Sequence, residues 1–213
     1  GIPATMPDGQ GQASTISLPS VERIEVLRGP LAQLHGNAAG GVVLVSSRVG
    51  MTAPVATIDT VFAPWDTQKV GYLFAMGQGE HAFLLDASQF RTGGWRDHGE
   101  ASRGQANLRW RWTPDADTRV DLVLNALDQT AKDPLGLTRA QWEADPQQTP
   151  AIAYVQDPRK TVRQEQAGVV VERRLSPLTT LQARAYTGER SLRNALSVPL
   201  ANQQSVTSSG GIV

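Results

Sequence analysis

The residue types best suited to chemistry are sparse and scattered in this 213-residue chain. His35, His81 and His98 stand far apart with no ligand-like spacing, and there is no cysteine, so the sequence offers neither a metal site nor a disulfide framework. Glu22 and Glu25 could suggest a carboxylate pair for acid–base work. They lie three apart on a strand-like segment, however, and would point to opposite faces. No nucleophile elbow or phosphate-binding loop occurs. No catalytic residue, metal ligand or cofactor is assigned, and an enzyme is not expected.

What remains is binding chemistry. The stretch around Trp95, Arg96 and His98 offers an indole, a guanidinium and an imidazole within four positions. A longer polar segment carries Lys132, Asp133, Arg139, Trp142, Glu143, Asp145, Tyr154, Arg159 and Lys160. Such a mixture can grip an anionic or aromatic ligand by charge-assisted hydrogen bonds and stacking. Asp8, Gln10 and Gln12, interleaved with Gly9 and Gly11, form a third polar stretch. The substrate-binding candidates are therefore Asp8, Gln10, Gln12, Trp95, Arg96, His98, Trp142 and Tyr154. The competing reading is that loops are polar whatever they bind, and that glycine beside a polar residue is first of all a turn.

These candidates sit between segments of strict alternation. In 104–112, Gly104, Ala106, Leu108, Trp110 and Trp112 alternate with Gln105, Asn107, Arg109 and Arg111. Val120, Leu122, Leu124 and Ala126 make a second apolar row, and Val70, Tyr72, Phe74 and Met76 a third. Further rows are Ala167, Val169 and Val171, then Leu181, Ala183 and Ala185; 55–63 and 81–91 alternate less regularly. The count is about seven strands, each near the roughly 9–11 residues that a tilted strand needs to cross a bilayer. Short turns at 77–80, 113–117 and 175–177 alternate with long joins at 91–102 and 131–161. That regularity is the pattern of an up-and-down membrane barrel. On it, the first strand rises to a turn near Trp65-Asp66, and the final serine and glycine stretch adds no strand.

Composition bounds the alternatives. Twenty basic and twenty acidic residues cancel, which gives no support for nucleic-acid binding. Mean hydropathy is negative, as a barrel permits because only alternate residues face lipid. Aromatic residues make up 6%, few for a barrel, yet Trp110 and Trp112 fall at one strand end and Phe62 and Trp65 at another, as interfaces favour.

The segment before the strands is of another kind. Glu22-Arg23-Ile24-Glu25-Val26-Leu27 reads as a half-buried strand broken by Gly29, after which Pro30 can open a short helix with Leu31 and Leu34 on its inner face, closed at Gly36. Gly40 and Gly41 then permit a tight reversal before Val42-Val43-Leu44-Val45.

The ordered series Arg28-Gly29-Pro30, His35-Gly36-Asn37 and Gly40-Gly41 between those strands closely resembles the carboxy-terminal part of the plug domain in TonB-dependent outer-membrane receptors. The resemblance implies a plug motif at Arg28, Gly29, Pro30, Gly36, Asn37, Gly40 and Gly41, with Arg28 facing the barrel wall as a plug–barrel contact. It implies an α+β plug portion over 1–50 and the first strands of a transmembrane antiparallel β-barrel over 51–213, the family barrel having 22 strands. On this reading the chain begins within a plug and ends before the barrel closes. The implied function is energy-coupled uptake of a scarce solute across the bacterial outer membrane, most often a ferric siderophore or similar metal chelate, with other organic cofactors as alternatives. The implied partners are the TonB protein, acting through a segment outside this sequence, the small ligand, and outer-membrane lipid. A secreted soluble β-rich binding module is the rival; it requires a closed hydrophobic core on one face.

Overall fold

The computed structural model describes residues 13–29, 41–49, 53–197 and 202–212. Two short 3-10 turns, Ala13–Thr15 and Leu18–Ser20, lead into β1 (Val21–Leu27), which pairs antiparallel with β2 (Val42–Ser47) in a two-stranded sheet. Of the Gly40-Gly41 pair expected to permit a tight reversal before β2, Gly41 is described. Gly41 has φ +130°, and a Cβ there would lie 2.8 Å from the Leu27 carbonyl oxygen. Pro30, Gly36, Asn37 and Gly40, and with them the expected short helix, lie outside the described residues.

The second sheet has eight antiparallel strands in chain order. They are β3 (Val55–Ala63), β4 (Thr67–Gln78), β5 (His81–Thr92), β6 (Ala101–Trp112), β7 (Thr118–Lys132), β8 (Arg159–Ser176), β9 (Thr179–Ala195) and β10 (Asn202–Ile212). β3 and β10 are its two edges, so the described sheet is open.

The expectation of about seven strands is corrected to eight, and the last stretch, expected to add none, is the missing strand. Its residues, rich in Ser, Gln and Gly, carry no alternating hydropathy. What makes them a strand is continuous pairing with β9 from Asn202↔Ala195 to Ile212↔Ala185, a backbone property that composition does not encode. Tyr186 supports this edge: a Cβ on Gly211 would fall 2.7 Å from its hydroxyl.

Register joins the apolar rows across the sheet. Phe74, Leu85, Leu108, Leu124 and Ala167 are successive cross-strand partners, as are Met76, Phe83, Trp110, Leu122, Val169 and Ala185. This face is left uncovered: Phe74 is 41% exposed, Leu85 44% and Leu181 56%. The opposite face holds the buried polar groups Asp86, Asp121, Gln164 and Arg190. The same face buries Ala75, Leu84, Leu127 and Val162, so the sheltered side is mixed, whereas the side left open is the apolar one, the reverse of a water-soluble sandwich. This inversion follows from the period of two along every strand, which places one row in each environment. At the short-turn end, His81 stacks on Trp110 at 5.8 Å, and the Trp112 indole N–H donates to Glu80 at 3.2 Å.

The polar face meets the small sheet. Arg109 donates to the Ser47 carbonyl at 2.8 Å, and the Ser17 hydroxyl donates to the buried Asp86 carboxylate. Asp121 gathers Arg109 at 3.3 Å, Arg111 at 2.8 Å and Arg119 at 3.4 Å. Arg28 is exposed, and no ion pair involves it among the described residues. Among the described residues, hydrogen bonds to the large sheet come from Ser17, ahead of β1, and Ser47, at the end of β2.

Candidate functional site

Two long joins leave the same end of the large sheet, 93–100 between β5 and β6 and 133–158 between β7 and β8. The second contains α1 (Arg139–Ala144) and α2 (Ala151–Gln156). A capping box starts α1: the Gln141 N–H donates to the Thr138 hydroxyl and the Thr138 N–H to the Gln141 side chain. Asp157, in the left-handed region at φ 47°, ends α2 with its N–H on the Ala153 carbonyl. Ala153 is fully buried and seats the helix.

The two joins form one unit. The Arg96 guanidinium donates to the carbonyls of Leu135 at 2.7 Å, Gln148 at 2.8 Å and Pro134 at 3.0 Å. The Thr149 hydroxyl donates to the Asp97 carbonyl at 2.6 Å, and the Tyr154 hydroxyl to the Asp97 carboxylate at 3.3 Å. Gly94 permits the close return of the shorter loop. Its φ is +84°, and a Cβ would lie 2.5 Å from the Gly99 carbonyl.

Between the loops lies a depression of about 410 Å³, open to solvent. Its apolar walls are Trp95, Trp142, Leu137 and Pro146, with Arg96, Thr138 and Arg139 completing the lining. Arg139 is held by Glu143 one turn along at 2.7 Å.

A second cluster lies beside it. His98 is buried, with its Nε2 at 3.5 Å from Asp157 and its ring edge-on to Tyr154 at 5.8 Å. Asp157 is also paired with Arg159. Glu100 binds Lys132 at 3.2 Å. Burial would raise the Glu100 carboxyl, but its main-chain hydrogen bond and the Lys132 ammonium outweigh that and hold it below the ordinary carboxylate value, with a contribution from His98.

No protein-family model matches the chain. Among solved structures, the ferric citrate transporter FecA in its unliganded form superposes with a TM-score of 0.73 at 20% identity, over 97% of this chain and 31% of that one. The chain has the fold of these receptors. The ferric-catecholate import receptor Fiu from E. coli K12 gives a TM-score of 0.64 at 13% identity, over 90% of this chain and 34% of that one. The siderophore receptor PiuA from Acinetobacter baumannii gives 0.69 at 14% identity, over 91% and 31%. The chain spans about a third of the length of each.

Within this receptor fold, the residues singled out by sequence separate into groups. Trp95, Arg96 and Trp142 meet at the depression, and His98 and Tyr154 meet in the adjoining cluster. Asp8, Gln10 and Gln12 lie outside the described residues. Leu137, Pro146 and Asp157 were not singled out. Their roles come from packing between distant segments, and only the length of the second join hinted that structure lay there.

Proposed function

We propose that the chain is part of a bacterial outer-membrane receptor for energy-coupled uptake of a ferric siderophore or similar metal chelate. Residues 1–50 are then the end of a plug domain and 51–213 the first strands of its barrel. The observation that carries the reading is the inverted wall: exposed Phe74, Leu85 and Leu124 on one face, buried Asp86, Asp121 and Gln164 on the other. Such a face costs free energy in water and is stable in lipid. The apolar face of a secreted β-module would instead be covered.

The solved structures of like fold are named for ferric citrate, ferric catecholate and siderophore transport, and an iron chelate is the ligand class this supports. The depression beneath Trp95 and Trp142 is the capture site, supported by its place between two loops fastened together by Arg96. Energy coupling runs through the TonB protein. The receptor makes and breaks no covalent bond.

The test uses the full-length parent in living cells. Accumulation of radioactive iron from a chelate should require the receptor and collapse when a protonophore removes the inner-membrane proton gradient. Accumulation that persists without the gradient would sink the energy-coupled reading.

A further inference from the structure

We infer that His98 is a proton-operated latch between the two long joins: as an imidazolium it bonds to Asp157 and draws the joins together, and as a neutral ring it leaves them looser. The mouth formed by 93–100 and 133–158 is then tighter in mildly acidic surroundings than in alkaline ones. This concerns the joins alone and holds whatever ligand the protein takes.

His98 belongs to the shorter join, and Asp157 closes α2 on the longer one. The imidazole is only 6% exposed, yet its Nε2 makes no hydrogen bond; the Asp157 Oδ1 stands at 3.5 Å, too far for a good one. A neutral ring gains little from that contact, and one that turns a bare Nε2 lone pair to the carboxylate is repelled by it. An imidazolium carries a proton on both ring nitrogens and forms a charge-assisted bond, roughly twice as strong as a neutral one. Closing the gap to Asp157 pulls one join onto the other. Both residues already sit in left-handed backbone, His98 at φ 62° and Asp157 at φ 47°, a conformation that side-chain-bearing residues adopt rarely and keep where their surroundings impose it.

The charges around the ring favour the proton and direct it to Asp157. Arg159, at the start of β8, holds the other oxygen of Asp157, so Oδ1 is the one left for the ring. Glu100 interacts with the His98 charge and is paired with Lys132 at the end of β7. The Asp97 carboxylate accepts from the Tyr154 hydroxyl, and the Tyr154 ring packs edge-on to His98. Three carboxylates thus stand against two cations around the imidazole, and its proton balances them. Arg96 and Asp133 are turned elsewhere, to main-chain carbonyls and to the Leu135 N–H. Histidine is the side chain whose ordinary titration falls between about pH 5 and 8, so a latch built on it works in that range.

The experiment follows main-chain hydrogen exchange in 93–100 and 133–158 of the full-length protein in detergent. Rates are corrected for intrinsic exchange and compared at about pH 5.5 and about pH 7.5, either side of the ordinary histidine value. Protection in the wild type should be about fivefold higher at the acid pH. His98→Asn and Asp157→Asn should each remove the step, and asparagine tolerates the left-handed backbone at both positions. Glu100→Gln should keep it. Heat-modifiable migration on gels verifies that each variant is a folded barrel. Wild-type protection that is equal at the two pH values, or higher at the alkaline one, overturns the inference whatever the variants do. A step that survives both asparagine variants, or one that Glu100→Gln abolishes, overturns it as well. His98→Asn should show at both pH values the protection that the wild type shows at the alkaline one; protection well below that marks a purely structural residue and overturns the latch.

Discussion

Arg109 reaches from the wall of the large sheet to the Ser47 carbonyl at 2.8 Å while Asp121 holds the same guanidinium at 3.3 Å. The end of β2 is thus fastened to β6 by a side chain that Asp121 on β7 keeps aimed inward. Asp121 does this for three arginines at once, and its side chain is only 8% exposed. Asp121→Asn removes the charge and keeps the shape, so three guanidiniums lose their shared counter-ion. We expect a loss of roughly 2–3 kcal/mol, below the value for fully buried pairs because the arginines are 18–39% exposed. Denaturant midpoints of the full-length receptor, followed by gel migration, would check this. An unchanged midpoint would mean that the cluster is decorative.

Arg96→Lys preserves the charge but not the three-way fork. If Arg96 holds the loops, lysine should behave nearly as badly as alanine, with faster proteolytic cleavage within 133–158. Were Arg96 instead a cation for the ligand, lysine would retain most of the affinity.

Gly94→Ala tests the short loop. A Cβ would collide with Gly99 in a conformation that L-residues resist, at a cost of about 1–3 kcal/mol for the backbone alone. Trp95 would leave its position in the wall of the depression. Ligand affinity should fall while the barrel remains folded.

Acid should loosen the base of the loop pair. Glu100 lies below the ordinary carboxylate value in the folded protein, so its pairing with Lys132 is present above the unfolded value, about 4.3, and is lost as pH falls through the lowered one. The two side chains are 37% and 48% exposed, so the effect is small, about 0–1 kcal/mol. Hydrogen exchange around residue 100, corrected for intrinsic rates, should rise as the pH falls through the lowered value in the wild type and show no such step in Lys132→Ala.

Residues 1–213 produced alone should be insoluble without detergent. The apolar belt is uncovered, and β3 and β10 present open edges. A monodisperse, detergent-free fragment would favour the soluble module.

Alternation made most of the wall legible in the sequence. Rows such as Leu108, Trp110 and Trp112 carry their facing in the order of residues, because a strand has a period of two and the two sides of a membrane wall differ in solvent. The turns were legible for a similar local reason, since Gly79 and Pro177 punctuate the chain where they stand. β10 was not legible, because its strand state comes from pairing with β9 and its side chains carry no facing signal. The same division runs through the site. Composition offered Trp95, Arg96 and Trp142 as binding types, but it could not assign Arg96 to three carbonyls, two of them nearly forty residues away and the third fifty-two. Nor could it place Leu137 and Pro146 beside the indoles. Facing is a local property of a repeating backbone, whereas a guanidinium's partners depend on how distant loops pack, and only the tertiary structure decided that.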